Sequence, residues 1–183
     1  MSRATHLVSR FFGSLRPRPV DAETLAWVER TLEPSELHVW EGLGRADRAE
    51  SVAVARRLDL ALADTGEAAD ATWTAAALLH DVGKQASAYG PIGRSLVTAA
   101  GTCFGKGNVR GWADDTSRVR GRMGRYVAHD DVGADLLTVA GARAAVIAWA
   151  GAHHRPEEWD STGIPTRICR ALARADGEAV PPE

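Results

Sequence analysis

Apolar residues recur along much of the chain at intervals of three and four, the period of a helix face. Trp73, Ala76, Ala77 and His80 fall on one such stripe. Val146, Trp149 and His153 form another, and Ile168, Leu172 and Asp176 a third, while His129 precedes Val132, Leu136 and Ala140. Alternation of the strand type is absent over any useful length. The pattern predicts an all-α protein. Asp21 is a suitable N-cap for a helix running to about Leu32, and a short segment from Pro34 to Glu41 ends at Gly42 and Gly44. A helix is expected from about Asp47 through Leu62, with Asp47 and Glu50 at capping-box spacing and Gly66 ending the stretch. Asp70 caps a helix from Ala71 to about Val82, stopped by Gly83, and Pro91 starts another that reaches Ala100. Residues 101–124 hold six glycines and several arginines with little periodicity, which predicts a long irregular loop, often a lid or binding loop when functional. Three further helices are expected at 130–140, 142–153 and, behind Pro165, 165–177.

The length of 183 residues suits one compact domain with a single core. Thirty-three alanines against four isoleucines reinforce the helical reading. A formal net charge of −2 argues against a dedicated nucleic-acid surface, and 45% apolar residues exclude a disordered chain. Cys103 and Cys169 are too few for a disulfide framework, and no apolar run approaches the ~20 residues of a membrane span. Residues 1–20 carry Arg3, Arg10, Arg16 and Arg18 without an acid. They read as an N-terminal basic arm whose Phe11 and Phe12 dock on the body, ahead of a helical domain at 21–183. Arg10 breaks the one apolar stretch of that arm, which disfavours a targeting segment and predicts a cytoplasmic protein.

Chemistry enters through the polar residues on the apolar stripes. Four helical segments direct His80, His129, His153 or Asp176 toward the interior. Buried carboxylates such as Asp81 and Asp176 need partners, and a shared cation would supply one. The set offers nitrogen and oxygen donors without a thiolate, which suits Mn, Fe, Co, Ni, Zn or Mg, as one or two ions. The two oxygens of Asp81 are suited to bridging a pair.

The run Ala76-Ala77-Leu78-Leu79-His80-Asp81-Val82-Gly83-Lys84 resembles the signature of the HD-domain metal-dependent phosphohydrolases. The stretch His129 to Leu137 looks like that superfamily's third-histidine segment. His153-His154, followed by Trp159-Asp160-Ser161-Thr162-Gly163-Ile164-Pro165, is similar to the paired histidines of the HD-GYP branch, with Ile164 in place of the tyrosine. Arg174-Ala175-Asp176 matches the terminal aspartate, and order and spacing agree over residues 45–178. The resemblance implies a compact helical bundle in which His80, Asp81 and Asp176 hold one metal. Asp81, His129 and His153 would hold a second, with His154 as a further ligand or substrate contact. Asp81 and Lys84 would take part in catalysis, Lys84 standing where the family places a basic residue near the leaving group. The family's first histidine is replaced: Glu50 aligns with it, either as an oxygen ligand or as the capping-box residue. His38 reads as a packing or surface residue.

The resemblance therefore implies hydrolysis of a nucleotide or other small phosphorylated metabolite, by attack of metal-activated water. Arg110, Arg118, Arg120, Arg122 and Arg125, with Arg94 as a weaker candidate, are the expected phosphate contacts. Two other readings share the ligand set. One is a di-iron oxygenase; the other is a catalytically degenerate protein that binds a nucleotide and signals through a partner. A homo-oligomer is left open.

Overall fold

In the computed structural model the described residues are 19–66, 70–87, 106–112 and 115–180. The arm before residue 19, the helix expected from Pro91 to Ala100, and Arg94 lie outside them. All regular structure among the described residues is helical. In chain order these are α1 (Ala22–Thr31), α2 (Pro34–Glu41), α3 (Arg45–Asp64), α4 (Ala71–Leu79), a 3₁₀ turn (Val82–Ser87) and α5 (Lys106–Arg110). They continue with α6 (Arg118–Val127), α7 (His129–Ala140), α8 (Ala144–Ala152), a second 3₁₀ turn (Pro156–Ser161) and α9 (Thr166–Asp176).

Local chemistry accounts for most boundaries. Asp21 accepts a hydrogen bond from Thr24 N at 2.8 Å and caps α1, and Asp70 accepts one from Thr72 N at 2.6 Å and caps α4. Gly141 and Gly177 close α7 and α9 in the left-handed region, with φ of 73° and 88°. Three expectations are corrected. The helix expected from Asp47 begins at Arg45, with Gly44 as a cap that contributes no side chain, so Asp47 and Glu50 form no capping box. The helix expected to reach Val82 ends at Leu79 with His80 as its C-cap, and Gly83 lies inside the 3₁₀ turn that follows, Val82–Ser87. Within the stretch read as an irregular loop, residues 106–110 and 118–127 are helical, the second helix capped by Ser117, which accepts from Arg120 N.

The core is built around α4. Its sequence, ATWTAAALL, is apolar on every side, and every residue from Thr74 to His80 is buried, as expected of an interior helix. α3, α8, α9, α1 and α2 all pack against it, the alanines letting backbones approach. Trp40, Leu58, Leu78, Leu79, Leu137, Ile168 and Leu172 fill the space between. Trp40 Nε1–H donates to Ser51 Oγ at 2.9 Å, so its polar atom is satisfied inside. α2 is tied to the start of α8 by one buried ion pair. Glu36, with no exposed surface, accepts from Arg143 N (3.1 Å), Nε (2.9 Å) and Nη2 (2.6 Å) and from Glu33 N (3.0 Å). On α7 the buried line is His129, Asp130, Gly133 and Leu137; the expected line of Val132, Leu136 and Ala140 is half-buried, because α8 and the first 3₁₀ turn grip the helix from two sides.

Candidate metal centre

Three histidines repeat one local device. His80 is the C-cap of α4 and its Nδ1–H donates to the Ala77 carbonyl at 2.9 Å. His153 is the C-cap of α8 and its Nδ1–H donates to the Ala150 carbonyl at 2.8 Å. The Nδ1–H of His129, first residue of α7, donates to the Tyr126 carbonyl in the last turn of α6, at 2.9 Å. Each imidazole thus satisfies a carbonyl that its helix end leaves without an intrahelical donor. The same bond occupies each Nδ1–H, so each ring turns its Nε2 to the far side, where it offers a lone pair once that nitrogen is free of a proton.

Those Nε2 atoms point to a common place. His129 Nε2 is 3.2 Å from Asp81 Oδ1, and His153 Nε2 is 3.9 Å from the same oxygen. His80 Nε2 is 3.3 Å from Asp81 Oδ2 and 3.4 Å from Asp176 Oδ1. Lys84 Nζ donates to Asp81 Oδ2. His80 Nε2, His129 Nε2, His153 Nε2 and Asp81 Oδ1 are all buried and find no hydrogen-bond partner among the described residues. Native interiors rarely leave such atoms unpaired, and four together fit a shared cation. His154, partly exposed, brings its ring centroid to 4.0 Å from that of His153 and 5.2 Å from that of His129. One ligand atom from each of His129, His153 and His154 lies within 4.8 Å of the others. His154 also faces Glu178, Nδ1 to Oε1 3.5 Å.

Gly83 makes this approach possible. A Cβ built on it would stand 1.9 Å from the His129 carbonyl oxygen and 2.6 Å from Gly133 N, so only a glycine lets the turn after Asp81 rest on α7. A small recess opens beside the cluster, walled by His80, His153 and Asp176 and by the apolar Val54, Trp149 and Leu172.

The electrostatics follow from the crowding. Burial opposes protonation of His80, but the Asp81 and Asp176 carboxylates outweigh it and push its pKa up to about 10. Burial likewise opposes ionisation of Asp81 and Asp176. The Lys84 and His80 charges hold the Asp81 carboxyl well below the usual carboxylate range, and His80 holds Asp176 at about 2. Burial of Lys84 is outweighed by Asp81, which raises the ammonium's pKa. His153 moves the other way: burial and the neighbouring positive His80 push it well below the imidazole norm.

The sequence-predicted residues therefore divide. His80, Asp81, Lys84, His129, His153 and Asp176 come together, with His154 at the edge. Glu50 is half-exposed and ion-paired with Arg57 at 3.1 Å; Arg57 Nε–H in turn donates to the Ala175 carbonyl at 2.6 Å, next to Asp176. Arg110 is engaged by acids of α7, Nη1 lying 3.1 Å from Asp130 Oδ1 and Nη2 donating to Asp131. Arg120 stacks over the Trp112 ring at 5.3 Å. Arg118, Arg122 and Arg125 lie on α6. His38 is exposed on α2. Sequence reasoning missed buried Asp130, whose only signal was its place beside His129.

A family model described as the HD domain matches residues 48–180. Neither curated proteins nor solved structures give a match. Among the described residues no helix is long and apolar enough to cross a membrane. The matched span runs from the first turn of α3 past the end of α9 and contains the His-Asp pair of residues 80 and 81; this chain belongs to the HD-domain family.

Proposed function

We propose that this protein is a metal-dependent phosphohydrolase acting on a nucleotide or another small phosphoester. The observation that supports it most is the set of imidazoles from separate helix ends that turn unpartnered Nε2 atoms toward the Asp81 carboxylate. On this reading His80, Asp81 and Asp176 hold one divalent ion, and Asp81, His129, His153 and His154 a second; Glu50 is available as a further oxygen donor only if it leaves Arg57. A divalent ion there would lower the pKa of a water toward neutrality and set positive charge against phosphoryl oxygens.

The chain's own residues have separate tasks. Asp81, held ionised far below neutrality, is a ligand and an anchor rather than a proton acceptor, because so weak a base takes little part in proton transfer at neutral pH. Lys84 carries its charge at the Oδ2 edge of Asp81, where it can meet a leaving-group oxygen. Arg118, Arg120, Arg122 and Arg125, with Arg94, are the proposed phosphate contacts, since guanidinium binds phosphate oxygens in pairs.

Protein supplied in turn with Mn, Fe, Co, Ni, Zn and Mg should release phosphate or a nucleoside monophosphate from some member of a phosphoester panel. A metal-replete sample inactive on the whole panel overturns the proposal. The pairing of Glu50 with Arg57, away from a ligand's role, favours one second reading: a degenerate member that binds a nucleotide without turnover. Thermal shifts by nucleotides with no product under any metal would select it.

A further inference from the structure

Arg155 directly follows the paired histidines, and its guanidinium is held along one flank. Nη2 donates to the Gly151 carbonyl, and Nε stands 3.1 Å from Glu158 Oε2. Arg110, the last residue of α5, is held in a similar manner. Its Nη1 donates at 3.2 Å to Oδ2 of Asp130, which is buried in the first turn of α7. Each guanidinium thus keeps one terminal nitrogen for a further partner, and both of these nitrogens meet the same carboxylate. Arg110 Nη2 donates to Asp131 Oδ2, and Arg155 Nη1 donates to Asp131 Oδ1 at 3.1 Å. The Asp131 side chain is 48% exposed, against 3% for Asp130, so only the first of the two acids can turn away into water. Donors from two separate segments therefore converge on a pair of surface oxygens, two residues along α7 from His129 and beside the residue that follows His154.

We propose that Arg110 and Arg155 form a phosphate subsite next to the metal centre, with Asp131 as a resident anion that a second phosphoryl group of the substrate displaces. The inference rests on the phosphohydrolase reading given above and narrows its substrate class to small compounds with two phosphoryl groups, one at the ions and one at this arginine pair. The exchange is favourable on charge and on geometry. A half-exposed carboxylate gains only about 0–1 kcal/mol from an ion pair, because water screens it. A phosphate dianion brings more charge and three oxygens, which guanidinium groups bind in pairs. Asp130, Gly151 and Glu158 hold the far sides of both guanidiniums, so the donors stay aimed when Asp131 leaves and little further ordering is needed.

The test is binding of inorganic phosphate, followed by calorimetry at low ionic strength on chelator-treated full-length protein, where no ion contributes. The wild type should bind weakly, because Asp131 competes. Asp131→Asn should tighten binding about tenfold. Asp135→Asn removes the same charge from an exposed position one turn further along α7 and should change binding less than about twofold. Adding Arg155→Gln to Asp131→Asn should abolish the gain. A gain from Asp131→Asn no larger than that from Asp135→Asn overturns the proposal, as does a gain that survives Arg155→Gln. Circular dichroism checks folding, and Asp131→Ala or Arg155→Met replaces a variant that fails. In metal-loaded protein that turns over a phosphoester, Arg155→Gln should raise KM about tenfold for a bisphosphorylated compound and leave KM for the matching monophosphate unchanged. Equal losses on both overturn the assigned substrate class. Absence of turnover on the whole panel removes the proposed function, while the phosphate titration still decides whether the arginine pair is an anion site.

Discussion

Glu36 and Arg143 form a salt bridge in which the carboxylate has no exposed surface and both its oxygens are bonded. Removing one partner strands the other's charge inside, so Glu36→Ala should cost about 3–5 kcal/mol in urea unfolding. Burial pushes the Glu36 pKa upward, but the bonds from Arg143 and Glu33 N outweigh it and the net shift is down from 4.5. The sign follows by linkage. A group with a depressed folded pKa lends stability in full above its unfolded value and loses it as pH falls through the folded one. Stability should therefore decline as pH drops below 4.5, and Glu36→Gln should flatten part of that decline. Nothing local announced this pair, since the partners lie 107 residues apart in sequence. The cluster residues were legible for the opposite reason. His80, His153 and Asp176 each interrupt an otherwise apolar stripe, a mismatch visible within a few residues. Asp130 gave no such signal, because its partner Arg110 sits in a stretch without periodicity.

Among the elements, the periodic helices α4, α8 and α9 were readable, and α6 was not. Its sequence, RVRGRMGRYV, carries two glycines that lower helix propensity. Gly121 serves packing instead of turning: a Cβ on it would stand 2.3 Å from the Asp115 carbonyl oxygen. Gly83 misled in the same way, reading as a stop when its role is the contact with α7. Gly83→Ala must push the 3₁₀ turn off the His129 carbonyl, at a cost of about 1–3 kcal/mol by the measure of overpacked interiors. It should also separate Asp81 from His129, so metal affinity should fall more than in a control such as Gly44→Ala, whose Cβ would meet only Asp47 Oδ2 at an ordinary 3.5 Å. Titration calorimetry on both variants checks this, and equal affinities would show that the turn does not set the spacing.

Across the whole molecule, the all-α bundle was fixed by composition and period, but the convergence of its ends was not. α4, α8 and α9 all terminate at the cluster, through His80, His153 and Asp176, while α7 begins there at His129. Because four distant segments meet at one place, an ion bound there should cross-brace the fold. At a free metal concentration of about a hundred times Kd, linkage adds about 2.7 kcal/mol, which for a chain of this size raises Tm by about 5–10 °C. A chelator should reverse the shift in a thermal scan, and an unchanged Tm would mean that the ion does not join the segments. The three helix C-termini carry partial negative charge and stand beside two ionised acids, whose charges are offset by the positive His80 and Lys84. On the proposed function this dictates an order of arrival. In the metal-free protein His80 and Lys84 balance Asp81 and Asp176, so a phosphate finds no net positive charge there until a divalent ion supplies it; the ion must load first and the anion second. Non-hydrolysable phosphoester analogues should then bind weakly to chelator-treated protein and regain affinity only as metal is restored.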